Sequence, residues 1–243
     1  MRPKLRNAQR HKPLYPLNQF PSDFGLKLGR EIVYILATRE SPDISGDDWE
    51  KMFARCVGAN WEKSNVGLED VVVGKTAWSA KTIKVKQPFT YQHVRLIAGR
   101  NSVDYSFDIK NVHTEDPNDI GAMVLGIWNA RFEKVLSQFS DLRTVILVRD
   151  EQLRNFAVME IESTPFDPKR YKWEWNQRNN LEGYDIETDV HRFSWQPHGS
   201  QFTILPPIPL ARLKIRVKQP PMVSRDFVLN EIHFDSSWIE IVD

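Results

Sequence analysis

Apolar positions along the chain recur first with a helical period and then with a strand period. Phe24, Leu28, Ile32 and Leu36, with Ile35 beside them, share one face of a helix that Ser22 or Asp23 can cap and that runs to about Thr38. After a loop with Pro42 and Gly46, the residues Trp49, Met52, Phe53, Cys56 and Val57 make the buried stripe of a helix from about Asp47 to Asn60. Two runs rich in β-branched residues follow, Val66–Val73 and Thr76–Val85, separated by Gly74-Lys75. A two-residue connection with Gly first suits a type II′ hairpin. That turn sets Val73 opposite Thr76, Val71 opposite Trp78, and Asp70 opposite Ser79. Opposed residues share a face, as do residues two apart on one strand. Asp70, Ser79 and Lys81 are therefore expected to project together.

His93–Ala98 reads as a third strand and Asp104–Asn111 as a fourth. Asp116-Pro117 opens the clearest helix, an Asp cap with Pro at the first position, and the period holds to about Ser140. Its apolar stripe is wide enough for a core helix, and part of it could equally face a second subunit. Arg143–Arg149 and Phe156–Glu162 read as largely buried strands joined by a polar loop. Phe166–Tyr184 is polar and aromatic with no lasting period. Leu210–Val217 alternates, with Leu213, Ile215 and Val217 on one side and Arg212, Lys214 and Arg216 on the other. Phe227–Phe234 and Trp238–Val242 are expected to close the sheet. The fold class that follows is α/β (α+β) with a β-rich C-terminal region. Residues 1–22, interrupted by four prolines, form a basic arm; 23–163 form the core; 164–243 form an extension packed on the same domain.

Charge changes this picture more than composition does. The chain of 243 residues has a net charge of +1, yet its charges are segregated. Residues 1–22, 71–103 and 190–225 are basic and contain no acid. Such segments suit a polyanion-binding groove, because each Lys or Arg near a phosphate releases counterions. Taken singly, each is equally a solvated strand edge. The lone Cys56 excludes an internal disulfide and fits a reducing, cytoplasmic setting. No apolar run reaches the ~18–20 residues that span a bilayer, and the basic N-terminus has no apolar core of a secretory signal behind it. The His residues are scattered, so no zinc cluster appears, and there is no Gly-rich phosphate loop or nucleophile-elbow Ser. What remains is an acid and a Lys on one rigid hairpin. Carboxylates there can bind Mg²⁺ through oxygen, and Lys81 can orient a water or stabilise a phosphate. Glu50, one position round from Trp49, is either an acid favoured by the helix dipole or a side chain aimed at Asp70.

The set Glu50, Asp70, Ser79-Ala80-Lys81 resembles the PD-(D/E)xK nuclease signature, and within it the type II restriction endonucleases. The likeness covers roughly Asp47 to Val85. Glu69 stands where the family has Pro, and Ser79 stands where it has an acid. The resemblance implies a restriction-endonuclease-like central mixed sheet flanked by helices, and a Mg²⁺-dependent endonuclease cutting double-stranded DNA at a short site. It implies a homodimer and, as a genetic partner, a cognate DNA methyltransferase. Glu50 would supply the carboxylate missing at Ser79, and the Ala80 carbonyl would be a further metal ligand. Lys84, Arg95 and Arg100 would contact phosphates, and Asn101, Gln196, His198 and Gln201 would read bases. Three other readings stand beside it: a structure-specific repair nuclease of the same fold, a non-catalytic DNA-binding protein, and a β-rich interaction protein that binds no DNA.

Overall fold

The protein is described here from a computed structural model, for residues 12–61 and 68–242. Helix α1 (Phe24–Thr38) buries the stripe that its spacing predicts. Asp23 sits at its N-cap but makes no capping bond; it pairs with Lys27 at 2.7 Å instead. Helix α2 (Gly46–Val57) starts at Ser45, whose side chain accepts from the Asp48 amide while the Asp48 carboxylate accepts from the Ser45 amide. It ends before Asn60, because Gly58 takes the left-handed conformation at φ 70°. Asn60–Trp61 then forms a short strand, β1.

The expected hairpin is present. Strands β2 (Val71–Val73) and β3 (Thr76–Lys84) pair antiparallel with Val73 opposite Thr76 and Val71 opposite Trp78. Gly74 turns the chain with φ 59°. Strand β2 is shorter than its sequence suggests: Leu68–Asp70 lie outside it, and Val66 and Gly67 lie outside the described residues. Helix α4 (Pro117–Leu136) carries the chain across to β5 (Asp141–Arg149), which pairs parallel with β3 over its whole length. Strands β6 (Asn155–Glu162) and β11 (Leu213–Arg216) add antiparallel neighbours, giving the order β1-β2-β3-β5-β6-β11. This is a mixed sheet flanked by helices.

A second sheet, antiparallel throughout, has the order β4-β10-β9-β8-β7. Its strands are β4 (Leu96–Arg100), β7 (Tyr171–Trp175), β8 (Leu181–Asp185), β9 (His191–Gln196) and β10 (Gln201–Ile204). The third strand expected from the sequence is thus real but belongs to this second sheet. The fourth is a short helix, α3 (Val103–Phe107), which Asp108 ends at φ 55°. The two strands expected at the C-terminus are instead helix α5 (Arg225–Glu231), capped by Ser224, and a single 3-10 turn at Ser236–Trp238. The sheets also exchange strands across residue 163. Strand β4 joins the β-rich sheet, and β11 returns to the first one, so the two layers cannot be separated by one cut.

Helices α1 and α2 cover one face of the mixed sheet, with Phe24, Trp49, Phe53, Trp78 and Phe156 in the core between them. Helix α4 lies between the other face and the second sheet, packing Val124 and Trp128 among Trp173, Phe193 and Phe202. The segment around Tyr15 and Asn18 closes the open edge of β6. The Asn18 amide donates to the Glu160 carbonyl at 2.9 Å and accepts from the Glu160 amide. Among the described residues no helix is long and apolar enough to cross a membrane.

Candidate active site

Strand β2 pairs with β3 only as far as Val71 and Trp78. One residue beyond, the Asp70 carboxylate takes over where the ladder stops. Its Oδ2 accepts from the Ala80 amide at 2.9 Å and from the Ser79 hydroxyl at 3.2 Å. Lys81 Nζ stands 3.8 Å from the same oxygen. In a β-ladder the N–H and C=O of one residue point to the same neighbour. Because the Ala80 amide faces Asp70, its carbonyl faces that open edge too, while its methyl enters the core beneath α1 and α2. The hairpin therefore gathers Asp70, the Ser79 hydroxyl, the Ala80 carbonyl and the Lys81 ammonium at one corner.

Glu50 projects from α2 and feels the charges of Asp70 and Lys81. The acids in the first turn of that helix are Asp47 and Asp48, so Glu50 lies beyond the stretch where the helix dipole accounts for it. The Trp61 indole donates to its Oε2 at 2.9 Å. Burial pushes the Glu50 carboxyl above the usual carboxylate range, and the Trp61 hydrogen bond pulls it back; Asp70 and Asp47 push it up and Lys81 pulls it down. Glu50, Asp70 and Lys81 therefore act within one electrostatic neighbourhood.

Ser79 and Lys81 line a cleft of about 550 Å³ between the two sheets, bordered by Ala98, Trp128, Phe193 and the Pro206–Pro209 turn. Thr144 lies directly beside Ser79 in the parallel register, and its hydroxyl is 3.0 Å from that of Ser163. Both residues line the cleft with Ser79. Neither was picked out from the sequence; the only signal is a lone hydroxyl within the apolar run of β5.

The residues assigned to DNA contact are not gathered at this corner. Arg100, Gln201 and Gln196 oppose one another across β4, β10 and β9. Their neighbours Phe202 and Trp195 point into the core with α4, so this row occupies the other face of the second sheet. His198 is exposed in the turn next to it, and Arg95 is exposed just ahead of β4. Lys84 is exposed and pairs with Glu151. Asn101 is a correction. It is fully buried, its amide nitrogen donates to the Val124 carbonyl at 2.8 Å, and its Oδ1 accepts from Arg131. Its backbone carbonyl accepts from the Trp195 indole and its amide donates to the Ser200 carbonyl. A side chain so engaged ties β4 to α4 and cannot read a base. Asn101→Ala should lower stability by about 1–3 kcal/mol, the cost of leaving buried partners unsatisfied. Urea unfolding measures this, and the variant's DNA sequence preference should stay unchanged.

Asp70 Oδ1 and Glu50 Oε1 carry no hydrogen bond among the described residues. With the Ala80 carbonyl these are three hard oxygen donors, of which Asp70 and Ala80 share the β2-side edge of β3. No cluster of three or more His, Cys, Asp or Glu side chains occurs among the described residues. Two carboxylates and a carbonyl are donors of the kind a hard cation such as Mg²⁺ takes when waters complete its shell. No family model, characterised protein or solved structure matches the chain.

Proposed function

We propose that the chain is a Mg²⁺-dependent endodeoxyribonuclease of the type II restriction kind, with its catalytic corner at the open edge of β3. The observation that carries this reading is the meeting of Asp70 and Lys81 at 3.8 Å, on a strand edge where the Ala80 carbonyl is also presented. On this reading Asp70, Glu50 and the Ala80 carbonyl hold the ion. When bound, Mg²⁺ lowers the pKa of a bound water and neutralises charge on the phosphate. The chain's own residues do the rest. The Ala80 amide and Ser79 hydroxyl fix the orientation of Asp70, so its free oxygen is aimed before any substrate arrives. Lys81, held beside Asp70, directs its ammonium to a scissile phosphate and stabilises the negative charge that builds there. The exposed Lys84, Arg95 and Arg100 contribute sequence-independent affinity, and the outer row of Gln196 and Gln201 with His198 is available for base contacts. A homodimer on double-stranded DNA, with a cognate methyltransferase guarding the same site, completes the proposal.

Digestion of unmethylated phage DNA with Mg²⁺ tests it. Discrete fragments are expected. A smear or branch-specific cutting would favour a repair nuclease, and intact DNA with salt-dependent binding would favour a non-catalytic DNA-binding protein.

Glu50 gives a second test that does not depend on activity. Its folded-state pKa is raised, so the native state binds more protons than the unfolded chain just above the ordinary carboxylate range, and stability falls as pH rises through that window. Ionised Glu50 is thus a cost at neutral pH that a bound cation offsets. Glu50→Gln should melt at or above the wild-type temperature without metal and lose the stabilisation that added Mg²⁺ gives the wild type. Thermal melts with and without Mg²⁺ measure both, and an unchanged Mg²⁺ response in the variant would remove Glu50 from the ligand set.

A further inference from the structure

The C-terminal stretch from Met222 to Val242 contains no fully buried side chain. Phe227, Ile232, Phe234, Trp238 and Ile239 are between 42% and 62% exposed. Soluble monomers rarely leave so large an apolar patch uncovered. Helix α5 within it is seven residues long, a length that is marginal in isolation and is normally supported by packing. The stretch is also acidic: residues 226–243 contain Asp226, Glu231, Asp235, Glu240 and Asp243, and no Lys or Arg.

A matching surface exists elsewhere on the same chain. A groove of about 590 Å³ runs between α1 and β11, lined by Gly25, Leu26, Gly29, Val33, Tyr34 and Ile215. Leu26 is 72% exposed and Tyr34 is 65% exposed. The same groove is rimmed by Arg30, Arg216 and Lys218, so it is apolar along its floor and basic at its border. The acidic, apolar arm is its complement in both respects. The arm leaves the body beside the end of α1, where the Val223 amide donates to the Ala37 carbonyl at 2.8 Å and Arg225 pairs with Glu40. It does not enter the groove of its own chain, since no residue after Lys218 lines it.

We propose that the C-terminal arm of one copy docks in the α1–β11 groove of a second copy, and the second arm in the first groove, forming a two-fold dimer by arm exchange. Two equal contacts related by a two-fold axis close the assembly, as an isologous interface requires. This inference goes beyond the nuclease reading and does not rest on it: the arm and groove stand on apolar exposure and charge alone.

Light scattering on size-exclusion chromatography tests it with the 243-residue chain. The wild type should elute at twice the 28.4 kDa chain mass. A variant with Phe227→Asp and Trp238→Asp in the arm, and another with Leu26→Asp and Arg30→Glu in the groove, should each be monomeric with an unchanged circular dichroism spectrum. All four substitutions are at exposed positions, so folding is not at stake. Mixing the two variants brings one intact arm to one intact groove, so the mixture should form a heterodimer held by one of the two contacts and weaker than the wild-type dimer. A monomeric wild type, an arm variant that stays dimeric, or a mixture that fails to associate would overturn the proposal, whatever the outcome of the DNA digest.

Discussion

On the nuclease reading, Lys81→Ala is expected to lower the single-turnover cleavage rate by at least about 10²-fold while DNA affinity stays within a few-fold of wild type. The size of the loss follows from removing a donor placed where charge develops on the phosphate, an effect of roughly 10²–10³ when one such group is lost. Affinity should survive because on this reading it would come from the summed phosphate contacts of several cations, among them the exposed Arg95 and Arg100. Removing one of them changes the salt slope of binding by about 1 at most. The fold also survives: Lys81 is partly exposed, and Asp70 keeps the Ala80 amide and Ser79 hydroxyl. Cleavage is read in Mg²⁺, and affinity in Ca²⁺ as a binding-only substitute. Equal losses in rate and affinity would make Lys81 a binding residue and would remove it from the chemistry.

Glu160→Ala destabilises the protein by about 3–5 kcal/mol, the range for breaking a buried ion pair by removing one partner. Glu160 is completely buried. Its carboxylate accepts from the Tyr15 hydroxyl at 2.9 Å, the Trp78 indole at 2.6 Å, the Asn18 amide at 3.1 Å and Arg143 at 3.0 Å. Burial and the neighbouring Glu160 charge drive the Tyr15 hydroxyl far above its ordinary range, so it remains a donor at every working pH. Truncation strands all of these donors. Arg143, itself buried, would keep Asp141 at 2.9 Å and the Tyr15 carbonyl at 2.8 Å. Urea unfolding measures the loss, and a value below about 1 kcal/mol, the net size of one ordinary hydrogen bond, would show that the network adds nothing beyond it. The consequence reaches the corner of Asp70 and Lys81 through Trp78, which sits next to Ser79 on β3 and is held in place by this carboxylate.

The hairpin was legible because its determinants are local. Gly74 supplies the positive φ, and the two-residue turn then dictates every pair up to Val71 and Trp78. Helices α1, α2 and α4 were legible for the same reason, through stripes within one segment and, for α4, the Asp116 cap. The hairpin of β7 and β8 was not. Its inward positions include Gly183, where a Cβ would come within 2.9 Å of the Trp173 ring, and the facing position on α4 is Gly121, whose Cβ would lie 2.3 Å from that ring. The strand alternation is broken where the indole needs space, and that need belongs to a contact between distant segments. Strand β4 could be recognised as a strand, but its assignment to the second sheet depends on pairing with β10, about a hundred residues later. Asn101 looked like a base reader because a polar residue after a basic strand carries no mark of burial; its partners, Val124 and Arg131, come from α4. The C-terminal strands failed for a different reason. Their apolar spacing suits either period, and the Ser224 cap decides for a helix.

On the proposed function, Asp70 and Lys81 serve one phosphodiester. Incubating supercoiled plasmid with wild type and with Asp70→Asn, both in Mg²⁺ and at equal DNA occupancy, tests it most directly. The wild type should convert the plasmid to linear product and the variant should leave it supercoiled. Equal cleavage by the two would place the chemistry elsewhere on the molecule, and no cleavage by either would leave the corner without a reaction.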